Sequence, residues 1–194
     1  MWDVEPYTLD LSDVVRLSDD DLLKIASANP DLRIERNAAG QLEIMSPSGS
    51  TSSACEAEFV GALHVWNRQH GGGIVFTSSG GFKLPNGAVR AADAAWVRRS
   101  AWDVLSKKEQ DKFAPVVPEF LVEVRSPSDR LSALHRKMDE WVENGCRLGW
   151  LIDPTSKEAY IFRPEKKVEK RDFEATLSGE DVLPGFFFDL KALP

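Results

Sequence analysis

The most constraining stretch of the chain is Phe120-Leu-Val-Glu-Val-Arg125, a near-continuous apolar run with one acid in its middle. A run of that kind suits a central strand buried on both faces. Ser126-Pro-Ser-Asp129 then supplies helix-start chemistry, and Leu131, Leu134, Met138, Trp141 and Val142 form an apolar stripe up to Asn144-Gly145. Leu148-Gly-Trp-Leu-Ile152 and Ala159-Tyr-Ile-Phe162 return to strand. Strand, helix and strand in that order predict an α/β or α+β domain built on a mixed sheet.

Other segments fill in around this unit. Residues 18–29 open with Ser18 and three acids and close before Pro30, the polarity a helix macrodipole favours. Leu32–Arg36 and Gln41–Met45 alternate apolar with polar about Asn37-Ala-Ala-Gly40, which predicts a hairpin. Met45–Thr51 is loop chemistry, and Cys55, Phe59, Ala62, Leu63 and Trp66 mark an amphipathic helix over 52–69 that Gly71-Gly-Gly73 ends. From Ile74 to Val97 the chain reads as a meander of short strands broken at Gly80-Gly81 and Pro85-Asn-Gly87, and 166–170 as a solvated edge strand. One domain over 1–194 is expected, divided into an N-terminal helix and hairpin (1–45), a core (46–165) and a C-terminal strand extension (166–194).

Composition narrows the function. With 24 basic against 31 acidic residues the formal charge is −7, so bulk charge gives no footprint for nucleic acid and any phosphate contact must be local. No apolar run approaches the ~18 to 20 residues of a membrane span, and Met1-Trp-Asp-Val-Glu5 lacks the basic-then-apolar pattern of a signal peptide, so a cytoplasmic protein is expected. Cys55 and Cys146 lie in apolar segments and read as buried thiols. His64, His70 and His135 lack ligand spacing, and Gly71-Gly-Gly73 lacks the Lys-Ser/Thr pair of a phosphate loop. Ser46, Ser48 and Ser53 have no Asp-His pair nearby to make a serine hydrolase.

The acids inside apolar segments carry the chemistry. Leu121, Glu123 and Arg125 share one face of their strand, and a buried carboxylate needs a cation or donors in compensation. A salt bridge to Arg125 or to a base on another strand answers that need, and so does a metal ion. Asp93, in Arg90-Ala-Ala-Asp-Ala-Ala-Trp-Val97, is a second such acid; alone it could be a strand-end cap. Two carboxylates on neighbouring strands can hold Mg²⁺, which keeps waters for a phosphate or an attacking hydroxide. Lys137 flanks the apolar stripe of its helix, where it either covers the stripe with its methylenes or reaches inward to orient or deprotonate a water. Glu56 is either a solvated helix acid or a further inward polar group.

Met45-Ser-Pro, Gly81-Phe-Lys-Leu-Pro-Asn-Gly87, Ala92-Asp-Ala-Ala-Trp-Val97, Phe120–Asp129, Lys137-Met-Asp-Glu-Trp141, Asn144–Asp153 and Leu177–Phe186 together resemble the Uma family of bacterial "putative restriction endonucleases" over nearly the whole chain. The resemblance implies a PD-(D/E)XK, restriction-endonuclease-like fold: a mixed β-sheet flanked by helices, with a divalent metal at its acidic strands. Asp93 would match the motif's aspartate, Glu123 its second acid, Lys137 a lysine moved onto the following helix, and Glu56 the acid of the first core helix. Two departures stand out: Ala92 replaces the proline before the aspartate, and Arg125 holds the strand lysine position, where a permanently protonated guanidinium cannot act as a base but can contact phosphate.

The expectation is therefore a Mg²⁺- or Mn²⁺-dependent endonuclease acting on DNA, with no organic cofactor. Asp93, Glu123 and a strand carbonyl near Val124 would hold the metal, Lys137 would position the water, and Arg125 would contact the phosphate. A homodimer would supply a second site for the second strand. The rival expectations are a nuclease-fold nucleic-acid-binding or interaction module without turnover, and a hydrolase of a small phosphorylated substrate.

Overall fold

The computed structural model describes residues 7–11, 13–45 and 49–194. The reading made on residues 1–5, and the loop and serine readings at 46–48, lie outside the described residues. After β1 (Tyr7–Leu9), α1 (Asp19–Ala28) begins at the predicted cap: Ser18 accepts from the Asp21 amide while the Asp21 carboxylate takes the Ser18 amide. The predicted hairpin follows as β2 (Arg33–Arg36) and β3 (Leu42–Met45), then α2 (Ser50–His70), which buries Cys55, Phe59, Leu63 and Trp66 and ends at Gly71 with φ +72°.

The next strands are β4 (Gly73–Thr77), β5 (Phe82–Lys83), β6 (Val89–Arg90) and β7 (Ala94–Arg98), followed by two single-turn helices, α3 (Arg99–Trp102) and α4 (Lys107–Gln110). The crossover unit is β8 (Phe120–Val124), α5 (Leu131–Glu143) and β9 (Leu148–Asp153), after which come β10 (Glu158–Phe162), β11 (Glu169–Asp172), β12 (Thr176–Ser178) and β13 (Phe187–Asp189).

The principal sheet has the order β11-β10-β9-β8-β7-β4; β8 and β9 are parallel through the α5 crossover and the other neighbours antiparallel. Every residue of β8 is buried, as its apolar run predicts. Phe120, Val122 and Val124 face α2, while Leu121 faces Met138 and Trp141 of α5, so the sheet is covered on both sides.

The single meander expected over 74–97 is instead shared between two sheets. β4 and β7 belong to the principal sheet, whereas β5 and β6 join β1, β2 and β3 in a second, five-stranded sheet of order β1-β3-β2-β6-β5. The glycines explain the split. Phe113 lies against Gly81 so closely that a Cβ there would stand 2.4 Å from its ring, and Gly87 turns the chain back at φ +89°. The Arg33 and Glu35 face of β2 is thereby laid on the open end of β7 and β8 rather than in solvent and Glu35 is buried there, while Arg36 is buried on the opposite face beside Asp19 and the Gly87 carbonyl.

Beyond β11, the C-terminal segment does more than extend an edge. Leu177, Leu183, Phe186, Phe188 and Leu190 close the core on the α2 side, with Phe188 stacked on Phe59 at 4.2 Å. The turn between β12 and β13 has no room for a side chain at Gly179, where a Cβ would lie 2.6 Å from Leu183 Cβ and 2.7 Å from the Leu183 carbonyl oxygen. Gly179→Ala is accordingly expected to lower stability by about 1 to 3 kcal/mol. A urea melt with an unchanged midpoint would show that the turn yields freely. Both cysteines are buried thiols, and no described helix is long and apolar enough to cross a membrane.

Candidate active site

Asp93 immediately precedes β7, and continuing the β7–β8 register (Ala94 opposite Val122, Ala95 opposite Leu121) by one residue sets Asp93 opposite Glu123. Strand alternation puts both on the α5 face, where each is almost wholly buried, at 4% and 3% exposure. Like charges opposite one another across a strand pair repel, so each must be compensated. Asp93 Oδ2 accepts from the Val124 amide at 2.7 Å and Oδ1 from the Arg33 guanidinium at 2.9 Å. Glu123 Oε1 accepts from the Trp141 indole at 3.1 Å and lies 2.9 Å from Lys137 Nζ.

Lys137 reaches inward, the second of the two orientations open to it from its spacing. Its ammonium also donates to Glu35 Oε1 at 3.0 Å and to the Ala91 carbonyl at 3.1 Å, so two of its protons have acceptors while it stays ion-paired with Glu123. Burial disfavours that charge, but Glu123 and Glu35 outweigh it and hold Lys137 above the usual lysine range. A lysine held charged in this way is suited to stabilising negative charge rather than to accepting a proton. Glu35 meets burial in the same way, held below the usual carboxylate range by Lys137 and Arg90. Behind it, Arg90 binds Glu35 Oε2 at 3.1 Å, Glu140 at 2.6 Å and Glu43 in a still shorter contact.

Burial, with a further contribution from Asp93, pushes Glu123 up to about 7 despite the opposing pull of Lys137. A carboxyl that binds its proton more tightly folded than unfolded favours folding at low pH, and that contribution disappears as pH rises from about 4.5 through about 7. In metal-free protein, Glu123→Gln should therefore melt with wild type near pH 4.5 and above it at pH 8, by up to about 3 kcal/mol. Thermal melts at both pH values test this, and a difference that does not grow with pH would contradict it.

A cavity of about 350 Å³ opens over these groups, lined by Asp93, Glu123, Val124 and Lys137, by Glu56 from α2, and by Arg33 from the hairpin. Around its rim five cations face six acids, nearly the same proportion as the 24 to 31 of the chain as a whole. Arg125 is not part of it. Its guanidinium is tied to Asp153 at 2.7 Å and to the Asp129 carbonyl at 3.0 Å, clamping the turn after β8 onto β9, so the phosphate contact expected of it does not match its position.

Among the described residues no three His, Cys, Asp or Glu side chains are grouped to hold a metal. Two carboxylates with room beside them nevertheless suit Mg²⁺ or Mn²⁺, which take hard oxygen donors and are commonly held by one or two carboxylates plus water and phosphate. Asp93 and Glu123 fit that donor set, with Glu56 on the same cavity.

The sequence reading passed over Arg33, Glu35, Arg90 and Glu140. The first two sit on the polar side of an alternating hairpin, the usual mark of a solvent face; only the split of the meander turns that side inward. Arg90 could have been noticed, since it stands three residues from Asp93 among alanines.

The family model for Uma2, described as "Putative restriction endonuclease", matches residues 19–191. Among solved structures, the chain is similar to "a putative nuclease belonging to DUF820" from Anabaena variabilis ATCC 29413, with a TM-score of 0.74 and 17% identity over 91% of this chain and 97% of that one. At that identity the likeness speaks for the fold. No curated protein matches the chain.

Proposed function

The chain belongs to the Uma2 family, whose model, described as "Putative restriction endonuclease", covers residues 19–191, and from that membership we propose that it is a metal-dependent endonuclease hydrolysing DNA phosphodiesters by PD-(D/E)XK-type chemistry. The observation that carries the reading is the facing pair Asp93 and Glu123 with the Lys137 ammonium 2.9 Å from Glu123, all on one cavity.

Asp93, Glu123 and the backbone at Val124 would hold Mg²⁺ or Mn²⁺, with Glu56 as the nearest additional acid. When bound, the ion lowers the pKa of a coordinated water and polarises the phosphate. The Val124 amide fixes the Asp93 carboxylate and the Trp141 indole fixes Glu123, so neither needs to reorganise during reaction. Lys137, kept charged, orients the attacking water and offsets negative charge building on the phosphate. A homodimer would place two such sites on a duplex.

A non-catalytic binding module is the second reading, favoured by the cations that already satisfy both acids. Plasmid cleavage separates the two. Supercoiled DNA should be nicked or linearised with Mg²⁺ or Mn²⁺ and left intact in EDTA. Folded protein that cuts nothing with either metal, or cuts equally well in EDTA, would overturn the proposal.

A further inference from the structure

Arg33 comes from the N-terminal hairpin, outside the strands that carry the acids, yet its guanidinium reaches Asp93 Oδ1, the oxygen not taken by the Val124 amide. Nη2 is anchored on the Ala91 carbonyl at 2.8 Å, and Nε is buried with no hydrogen-bond partner. The side chain keeps 27% of its surface accessible and lines the cavity. An arginine presents five donors in a planar fork, and two of its bonds here are described, so it retains the capacity to take a further acceptor. A phosphate matches such a fork as a carboxylate does, so it can replace Asp93 as the partner.

We propose that Arg33 is a phosphate-binding residue that exchanges partners: it neutralises Asp93 in the free protein and passes to a backbone phosphate of the nucleic acid when a divalent cation takes Asp93. The inference rests on the metal-site reading above and adds to it a residue from the hairpin. Two cations cannot share Asp93 Oδ1 without repulsion, so Arg33 and the divalent ion compete. A guanidinium freed at that point already borders the cavity in which the phosphate would lie. Arg33 also stands 3.8 Å from Glu35, so its charge remains compensated on that side after Asp93 is given up.

The exchange predicts opposite effects of one substitution. Arg33→Met should bind Mn²⁺ about tenfold more tightly than wild type, because the competitor is gone, and should bind a short DNA duplex in Ca²⁺ about tenfold or more weakly, as expected for loss of one charge-assisted bond. Calorimetry with MnCl₂ and fluorescence anisotropy with the duplex read both without turnover. Arg33→Lys keeps the charge but not the fork; it should leave Mn²⁺ affinity near wild type and still weaken the duplex, and it serves if Arg33→Met fails to fold. Mn²⁺ affinity that is unchanged or weaker in Arg33→Met, or duplex affinity that is unchanged in either variant, overturns the exchange. Wild-type protein that binds Mn²⁺ and duplex but cleaves nothing sinks the nuclease reading and leaves the exchange standing when the variants behave as stated. Wild type that binds neither sinks both.

Discussion

Glu123→Gln is expected to remove metal-dependent plasmid cleavage by on the order of 10²- to 10³-fold, the scale seen when one preorganised stabilising group is lost from an active site. The substitution keeps the shape and the Trp141 contact of a side chain at 3% exposure, so the fold should survive, and above pH 7 the metal-free variant should be the more stable protein. Loss of activity with gain of stability separates a functional carboxylate from a structural one. A salt-bridge acid that served the fold alone would show the reverse. Steady-state nicking rates with saturating Mg²⁺, measured beside thermal melts, decide the matter; a variant retaining more than about a tenth of the wild-type rate would remove Glu123 from the chemistry.

The largest effect on stability should come from Arg90→Met. The Arg90 guanidinium is 8% exposed and is the common partner of Glu35, Glu43 and Glu140, from two strands and a helix. Removing one member of a buried ion network leaves uncompensated charge and costs about 3 to 5 kcal/mol. For a chain of 194 residues that is roughly a 10 °C fall in Tm. Methionine preserves much of the packing volume, so the loss reports charge. Adding Glu43→Gln and Glu140→Gln to Arg90→Met should recover part of it. A Tm within 2 °C of wild type in Arg90→Met would mean that the three carboxylates find compensation elsewhere.

What was legible in the sequence follows from range. The β8–α5–β9 unit is contiguous, and its buried strand, stripe and turn signals lie within a few residues of one another, so its elements could be read directly. The α1 capping box and the hairpin are local too. Asp93 and Glu123 drew notice because charge inside an apolar segment demands a partner wherever the segment goes. The identity of the partner was not local. Arg33 lies 60 residues from Asp93, and Glu35 lies 102 from Lys137. Dividing the chain after residue 45 placed the hairpin outside the core, although it supplies Arg33, Glu43 and Met45 to the cavity lining. Arg125 misled for the complementary reason: alternation gives the face of a strand residue, but Asp153 at the end of β9 draws its long side chain away from the acids.

The distance along the chain between these partners bears on how the protein is made. During synthesis Asp93 and then Glu123 emerge before α5 is complete, and the hairpin bearing Arg33 and Glu35 emerges before either. The acids therefore have Arg33 and no lysine until residue 137 has left the ribosome and α5 has docked, so a chain that stops short of α5 lacks Lys137 from the candidate site. Under the proposed activity, the site is complete only once α5, which ends at Glu143 of the 194 residues, has docked.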